Sequence, residues 1–178
     1  MTRALKGRRL ALRPLAEGDA PELYEAVASS AEALRRRLRW AQAVRSAEDC
    51  LAFIRRSLDE ERGGLGTTYG VFESRARRLV GVCALRANGG PAELSGWIRS
   101  DRAGKGYGEE AGRVLAARGF RGGAHKLYAR IEPANRAGRR VLQKLGFRYE
   151  GCLRRDRRLN GRWVDQECWG LLKGEWRK

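Results

Sequence analysis

A glycine-rich segment near the middle of the chain has the residue types and spacing needed to bind phosphate. Gly104, Gly106 and Gly108 occupy alternate positions after a mainly apolar run, and a helical pattern of apolar residues begins at Tyr107. A strand, a glycine loop and a helix in this order direct free backbone N–H groups and the positive end of a helix dipole at an anion. Because a Cβ atom would keep phosphate groups away from the backbone, the segment predicts a phosphate-binding loop.

Two common nucleotide-binding motifs do not fit this loop. The P-loop of nucleoside triphosphatases requires Gly-x-x-x-x-Gly-Lys-Ser/Thr, but Gly106 follows Lys105 and Arg99 occupies the position of the first glycine. The dinucleotide motif Gly-x-Gly-x-x-Gly requires a third glycine where Glu109 stands. Taken alone, the segment is therefore also compatible with an ordinary strand-to-helix turn.

A second motif further along the chain narrows the interpretation. From Glu132 the sequence reads Glu-Pro-Ala-Asn-Arg-Ala-Gly-Arg-Arg-Val-Leu-Gln-Lys-Leu-Gly-Phe. Together with the glycine loop, it resembles the GNAT superfamily of acyl-CoA-dependent N-acetyltransferases. The pyrophosphate loop of that family, Gln/Arg-x-x-Gly-x-Gly/Ala, falls on residues 103–108, and its later asparagine and Gly-Phe pair fall on Asn135 and Gly146-Phe147. The resemblance covers about residues 7–176, and residues 150–154 and 160–165 look like the subgroup that acetylates the N-termini of ribosomal proteins.

The resemblance implies that acetyl-CoA is the cofactor and assigns the residues that bind it. The strand before the loop is expected to separate from its neighbour, which begins at Lys126, and to bind the pantetheine arm through its backbone. The loop and the later asparagine are expected to contact the rest of the cofactor. The implied cofactor-binding residues are Trp97, Ile98, Ser100, Arg102, Ala103, Gly104, Lys105, Gly106, Tyr107, Gly108 and Asn135.

The implied reaction makes few demands on side chains. Acetyl-CoA carries an activated acyl group, so no covalent nucleophile is needed, but the acceptor amine must lose a proton before it attacks. A carboxylate can take this proton, often through water. Glu93, which occupies the family's acidic position at the start of the strand, is the candidate catalytic base; a solvated glutamate at a strand end is the alternative. An N–H near Ile98 is expected to polarise the thioester carbonyl.

Three positions depart from the family pattern. Ala103 stands where the family usually has Gln or Arg, although Arg102 beside it could contact the same phosphates. Gly138 stands where the ribosomal-protein subgroup often has a serine that protonates the leaving thiolate, and Leu142 replaces the tyrosine of other branches. Water or Tyr149 could protonate the leaving thiolate instead. Because the pKa of a thiol is about 8.5, the thiolate leaves readily near neutral pH without a dedicated acid.

Local patterns outline the remaining elements. Asp19, Pro21 and Glu22 form a helix-start signal with a capping box, and Ser46 begins a second helix that Gly63-Gly64 ends. Asn160-Gly161 is the strongest hairpin signal, and Asn88-Gly89-Gly90 indicates another turn. Strands are expected at 10–14, 67–73, 79–86, 93–99, 126–131, 149–159 and 162–172, and the later helices at 108–120 and 136–145. The expected fold is an α/β, GNAT-like mixed and splayed central sheet with helices on both faces.

Length and composition set limits on the protein class. The 178 residues suit a single GNAT-like acetyltransferase domain, 1–178. No apolar stretch approaches the ~18 residues needed to span a membrane, and the N-terminus lacks the apolar segment of a secretion signal, so we expect a cytoplasmic protein, either monomer or homodimer. The cysteines show no Cys-x-x-Cys spacing, which favours reduced thiols. Since His125 is the only histidine, no metal site is expected.

The chain is strongly basic. Lys and Arg number 38 against 21 Asp and Glu, a net charge of +17, with arginine clusters within residues 35–39, 75–78, 139–140 and 154–158. Such a field attracts anions: CoA, an acidic protein acceptor or RNA. Alternatively, the arginines only solvate the surface.

Two classes of function follow from these observations. The first is an enzyme that moves acetyl from acetyl-CoA to a primary amine, either a protein N-terminus such as that of a ribosomal protein or a small-molecule amine such as an aminoglycoside or polyamine. The second is a non-catalytic CoA- or RNA-binding module of the same fold.

Overall fold

Within residues 4–87 and 90–177, which the computed structural model describes, eight strands form one continuous sheet. The strands are β1 (Leu5–Lys6), β2 (Leu10–Pro14), β3 (Thr67–Glu73), β4 (Leu79–Ala87), β5 (Ala92–Ile98), β6 (Lys126–Ile131), β7 (Arg148–Leu159) and β8 (Arg162–Leu172). Their spatial order is β1-β2-β3-β4-β5-β6-β8-β7. Neighbouring strands are antiparallel except β5 and β6, which run parallel. The mixed sheet that we expected is therefore confirmed.

Six helices cover this sheet in the same part of the chain. They are α1 (Ala20–Ala28), α2 (Ala31–Arg35), α3 (Arg39–Ala43), α4 (Ala47–Arg62), α5 (Tyr107–Arg121) and α6 (Arg136–Lys144). Apolar residues of α5 and α6 pack on one face of the sheet, and those of α1 to α4 pack on the other. Helices on both faces are thus also confirmed. None of the described helices is both long and apolar enough to cross a bilayer.

Alternation along β5 decides which side chains face each layer. Ala92 and Leu94 belong to the core beneath α5 and α6, whereas Trp97 packs with the α1–α4 layer. Because successive side chains of a strand point to opposite faces, Glu93 lies on the same face as Trp97. We call this side of the sheet the α1–α4 face. It is the side on which the candidate base lies.

The predicted boundaries agree closely with the structure. The strands at 10–14, 67–73, 126–131 and 162–172 match to the residue, and most other elements shift by one residue at one or both ends. The predicted hairpin turn is present: Asn160 and Gly161 have positive φ values of 50° and 77°, as a type I′ turn requires. β1, α2 and α3 were not predicted, because two to five residues are too few to show a period. Two residues of the predicted turn, Asn88-Gly89, lie outside the described residues.

The predicted capping box of α1 is wrong, although the helix is present. The Asp19 carboxylate binds Arg13 through two 2.7 Å hydrogen bonds and accepts one from Ala16 N. Burial raises the pKa of Asp19, but these hydrogen bonds outweigh burial and leave it below its ordinary value. Glu22 accepts a hydrogen bond from Leu79 N at 2.8 Å instead of capping the helix. Both acidic side chains therefore tie α1 to the sheet.

All four cysteines are free in the structure, and their burial predicts an order of reactivity. Burial raises the pKa of the Cys50 thiol to about 11 and that of Cys83 to about 12, whereas Cys152 is exposed. Because the thiolate is the reactive form, a chromogenic disulfide reagent should modify Cys152 rapidly, and Cys50 and Cys83 only after denaturation. Thiol release counted in native buffer and in guanidinium tests this; fast native reaction of Cys83, located by peptide mapping, would contradict it.

Candidate active site

The sheet contains a gap between its two parallel strands. β5 and β6 pair at only two positions, Ala92 with Leu127 and Glu93 with Tyr128. Beyond them the strands separate, as predicted. Each strand remains paired along its length on its other side, β5 with β4 and β6 with β8. The gap therefore has two supported edges and exposes backbone groups to an extended ligand.

The register shows which backbone groups of β5 face the gap. Arg99 N donates to Val80 O at 2.8 Å, so this position is a hydrogen-bonded pair of the β4–β5 ladder. Such pairs alternate with non-bonded ones, and the register pairs Val82 with Trp97. Trp97 consequently directs its N–H and C=O at β4. Gly96 and Ile98 direct theirs away from β4, into the gap.

The three residues whose backbone was expected to contact the cofactor arm do not all face the gap. Ile98 is placed as expected, with an N–H on the open side. The backbone of Trp97 belongs to the β4–β5 ladder, and Ser100 N donates to Ser30 Oγ at 2.9 Å. The N–H groups of Trp97 and Ser100 are thus engaged within the protein, and those of Gly96 and Ile98 lie on the open side. The even spacing of Gly96 and Ile98 was visible in the sequence, but the direction of their N–H groups was not.

The glycine loop joins β5 to α5 and has the conformation that glycine permits. Gly104 and Gly106 have φ values of 76° and 78°, in the left-handed region that side chains disfavour. The first hydrogen bond of α5 runs from Glu110 N to Gly106 O. The N–H groups of Tyr107, Gly108 and Glu109 precede it and have no helical partner. These donors, at the positive end of a 15-residue helix, suit a pyrophosphate.

An arginine far away in the sequence holds the loop in place. Arg9 Nη1 donates to Lys105 O at 3.0 Å, its guanidinium lies 4.8 Å from the centre of the Tyr107 ring, and Arg9 Nε is 2.8 Å from Glu110 Oε2. Glu110 also accepts from the backbone N–H groups of Arg9 and Leu10. The negative charge of Glu110 beside the loop is thereby compensated. No local pattern connects Arg9 to a loop almost a hundred residues later, so sequence reasoning missed it.

Arg102 and Tyr107 share one carboxylate on the other side of the loop. The Tyr107 hydroxyl donates to Glu73 Oε1 at 2.8 Å, and Arg102 Nε lies 3.4 Å from the same oxygen. The hydrogen bond to Glu73 raises the pKa of Tyr107. Arg102 also pairs with Asp101 at 3.4 Å. To replace the side chain missing at Ala103, Arg102 must exchange these partners for phosphate.

Asn135 begins α6 and caps it. Its Oδ1 accepts from Gly138 N at 3.0 Å, which leaves the amide NH₂ available as a donor. A Cβ at position 138 would lie only 2.7 Å from Asn135 Nδ2. The glycine that departs from the subgroup's serine therefore allows Asn135 to adopt this capping conformation. Leu142, the other departure, is buried in the core.

Glu93 lies at the closed end of the gap and is paired with a cation across it. Its Oε1 is 3.5 Å from Arg130 Nε on β6, and about a quarter of the glutamate side chain is exposed. Arg130 belongs to the strand that diverges from β5. Glu93 therefore contacts both edges of the gap and remains open to solvent from the α1–α4 face.

Aromatic and basic residues line the approach from this face. Trp40 stacks on Phe53 with ring centres 4.4 Å apart and lies 6.4 Å from Trp97. The Trp97 Nε1 atom is buried without a partner in the described structure. A polar cavity of about 350 Å³ also lies next to α2. Its lining includes Ser30, Arg37 and Ser100, so the cavity reaches the turn that leads into the glycine loop.

Comparison with known proteins identifies the fold. A family model described as an acetyltransferase (GNAT) domain matches residues 9–148. An uncharacterized N-acetyltransferase, p20, from Bacillus licheniformis is 27% identical over 137 residues, which make up 75% of each chain.

Two solved structures superpose on nearly the whole chain. RimJ of Mycobacterium smegmatis in complex with CoA-disulfide gives a TM-score of 0.91 at 20% identity and covers 99% of this chain and 90% of its own. RimL, a ribosomal L7/L12 alpha-N-protein acetyltransferase in complex with coenzyme A, gives 0.88 at 22% identity and covers 96% and 98%. At these identities the likeness establishes a common fold. The family match extends over most of the chain and includes both the gap and the glycine loop. The chain therefore belongs to the GNAT family of acetyltransferases, and its acyl donor is acetyl-CoA.

Proposed function

We propose that this acetyltransferase modifies the N-terminal amine of a protein, with an acidic or ribosomal protein as the acceptor and the cytoplasm as its location. The observation that carries the proposal is the open α1–α4 face of the gap, which arginines surround. Arg37 lines the cavity next to α2. Arg157 lies on the long β7–β8 hairpin, which also exposes Trp163. The fold likeness to RimL and RimJ includes this hairpin and supports the same acceptor class.

The chain's residues have separate roles in this proposal. Acetyl-CoA supplies the activated acyl group. The N–H groups of the glycine loop and of the first turn of α5 bind its pyrophosphate, and Asn135 donates its amide to the cofactor arm. The N–H groups of Gly96 and Ile98 face the gap and can polarise a carbonyl oxygen there. Glu93 takes a proton from the acceptor ammonium, directly or through water.

The positive surface is expected to make acceptor selection electrostatic. Attraction between exposed charges is screened over about 8 Å at physiological salt. The kcat/KM for an acidic protein acceptor should therefore fall steeply between low and high salt. Reversing charge at Arg35 and Arg37, with Arg35→Glu and Arg37→Glu, should flatten that dependence, as stopped-time assays over a salt series would measure.

A matched double variant separates local attraction from net charge. Arg62 and Arg121 lie at the ends of α4 and α5, away from the glycine loop, so Arg62→Glu with Arg121→Glu changes the net charge equally. This control should keep most of the salt dependence. Efficient acetylation of an aminoglycoside or polyamine that does not vary with salt would overturn the protein-acceptor proposal and establish a small-molecule amine instead.

The acceptor itself can be found directly. Host lysate proteins incubated with the enzyme and isotope-labelled acetyl-CoA should yield labelled N-terminal peptides. Mass spectrometry should place the label on α-amino groups, and addition of a Glu93→Gln variant should give little label. Label confined to metabolites would contradict the proposal.

A further inference from the structure

One carboxylate at the gap differs from its neighbours because it has no cation in contact. Glu132 directly follows β6, at the open end of the gap, and is half-buried. Its side chain forms no hydrogen bond or ion pair with any side chain in the described part of the molecule. By contrast, Glu93 pairs with Arg130 and Glu110 pairs with Arg9. A half-buried carboxylate without a partner is costly unless a ligand provides one.

Arginines approach Glu132 from two other elements without touching it. Arg37, between α2 and α3, and Arg157, on β7, both act on it electrostatically. Burial raises the pKa of Glu132 above its ordinary value, while these two arginines act in the opposite direction and do not outweigh burial. Since Arg37 lies in the α1–α4 layer, Glu132 is placed on the acceptor side of the gap. Tyr128 and Arg130 occupy the same face of β6 by alternation.

This combination of charges fits one class of ligand. An ammonium group next to Glu132 would gain a charge-assisted hydrogen bond. The two arginines would repel a simple cation or a polyamine at the same place. A ligand that carries an anionic group close to its ammonium removes this repulsion and offers both arginines a partner.

We infer that Glu132 binds the acceptor ammonium and that Arg37 and Arg157 bind an anionic group next to it, so that the enzyme selects primary amines with an adjacent anion. The inference rests on the proposed transfer of acetyl to an amine and narrows its substrate. Two sources share this chemistry: an N-terminal residue followed by an acidic residue, and a free α-amino acid. Glu132 is in this account a specificity residue, whereas the proton transfer remains with Glu93.

Binding to the CoA-loaded enzyme tests the inference with two matched pairs of probes. The first pair is Ala-Asp-Ala-Ala amide and Ala-Asn-Ala-Ala amide, and the second is alanine and alaninamide. In at least one pair, calorimetry should show the anionic probe binding roughly ten- to a hundredfold more tightly than its neutral counterpart. This is the range expected for one charge-assisted hydrogen bond. Glu132→Gln should weaken the binding of both probes of that pair by a similar factor and raise the KM for the acceptor. The KM for acetyl-CoA and kcat should change less than about threefold.

The proposed role of Arg157 can be controlled with a variant of the adjacent Arg158. Arg157 is half-buried and lies on the same side of β7 as the buried Leu159, whereas Arg158 is exposed on the opposite side. Arg157→Gln should abolish the preference for the anionic probe, while Arg158→Gln, with the same loss of charge, should retain it. Equal binding of both members of each pair by the unmodified enzyme, an unchanged Kd in Glu132→Gln, or equal effects of the two arginine variants would overturn the inference. A preference confined to alanine over alaninamide would uphold it and overturn the proposed protein acceptor.

Discussion

Replacing Gly106 with valine is expected to weaken CoA binding by roughly 10²–10³-fold while the fold persists. Gly106 has a φ of 78°, and a non-glycine residue in the left-handed region costs about 1–2 kcal/mol. A branched side chain would also stand between the phosphates and the N–H groups of the loop. Loss of one charge-assisted hydrogen bond contributes about 1.5–3 kcal/mol more, and together these terms correspond to the stated loss. Calorimetric titration with CoA measures the effect, and far-ultraviolet circular dichroism checks the fold.

Two other glycines provide controls for this substitution. Gly174 has no atom within 4 Å of an added Cβ and no positive φ, so Gly174→Val should leave CoA affinity unchanged. A Cβ at Gly108 would make ordinary contacts, 3.5 Å from Val141 Cγ2 and 3.8 Å from Ile98 Cγ1. Gly108→Ala therefore introduces little strain, and any loss of affinity reports contact with the cofactor. Undiminished CoA affinity in Gly106→Val with an unchanged spectrum would remove the loop from the binding site.

Most elements of the fold could be predicted from the sequence because local patterns specify them; β1, α2 and α3 are too short for that. Helix starts, the Asn160-Gly161 turn and alternating strands depend on residues within a few positions of each other, and all were found in place. The glycine loop could be located for the same reason. The pattern itself predicted a phosphate-binding loop, and the family resemblance named CoA as the source of the phosphate. The resemblance also predicted the separation of β5 from its neighbour.

Interactions between distant segments could not be predicted from the sequence. The contact of Arg9 with Lys105 and Glu110, and that of Glu73 with Tyr107, join residues brought together only by the order of the strands. The N–H groups of Gly96 and Ile98, rather than that of Trp97, face the gap because of the β4–β5 register. All N–H directions change when this register moves by one residue. The approach of Arg37 and Arg157 to Glu132 likewise depends on how the hairpin and the α2–α3 connection fold.

Glu93→Gln is expected to lower turnover by roughly 10²–10⁴-fold, the usual contribution of a general base. Glutamine has nearly the same shape and cannot accept the proton, while CoA is bound mainly by the loop, so the Kd for CoA should be unchanged. An α-amino group has a pKa of about 7.7–8.0, so more of the acceptor is neutral as the pH rises. The activity of the variant should therefore recover partly at high pH, in contrast to that of the unmodified enzyme.

The ion pair with Arg130 allows the role of Glu93 as a base to be separated from a role in holding the gap. Arg130→Gln breaks the same 3.5 Å contact but leaves the carboxylate in place. If Glu93 acts as the base, Arg130→Gln should retain turnover within about tenfold and keep the pH dependence of the unmodified enzyme. If Glu93 only joins β5 to β6 through this contact, both variants should lose activity equally and neither should recover at high pH. A Glu93→Gln enzyme with unaltered turnover and an unaltered pH profile would exclude both roles for Glu93.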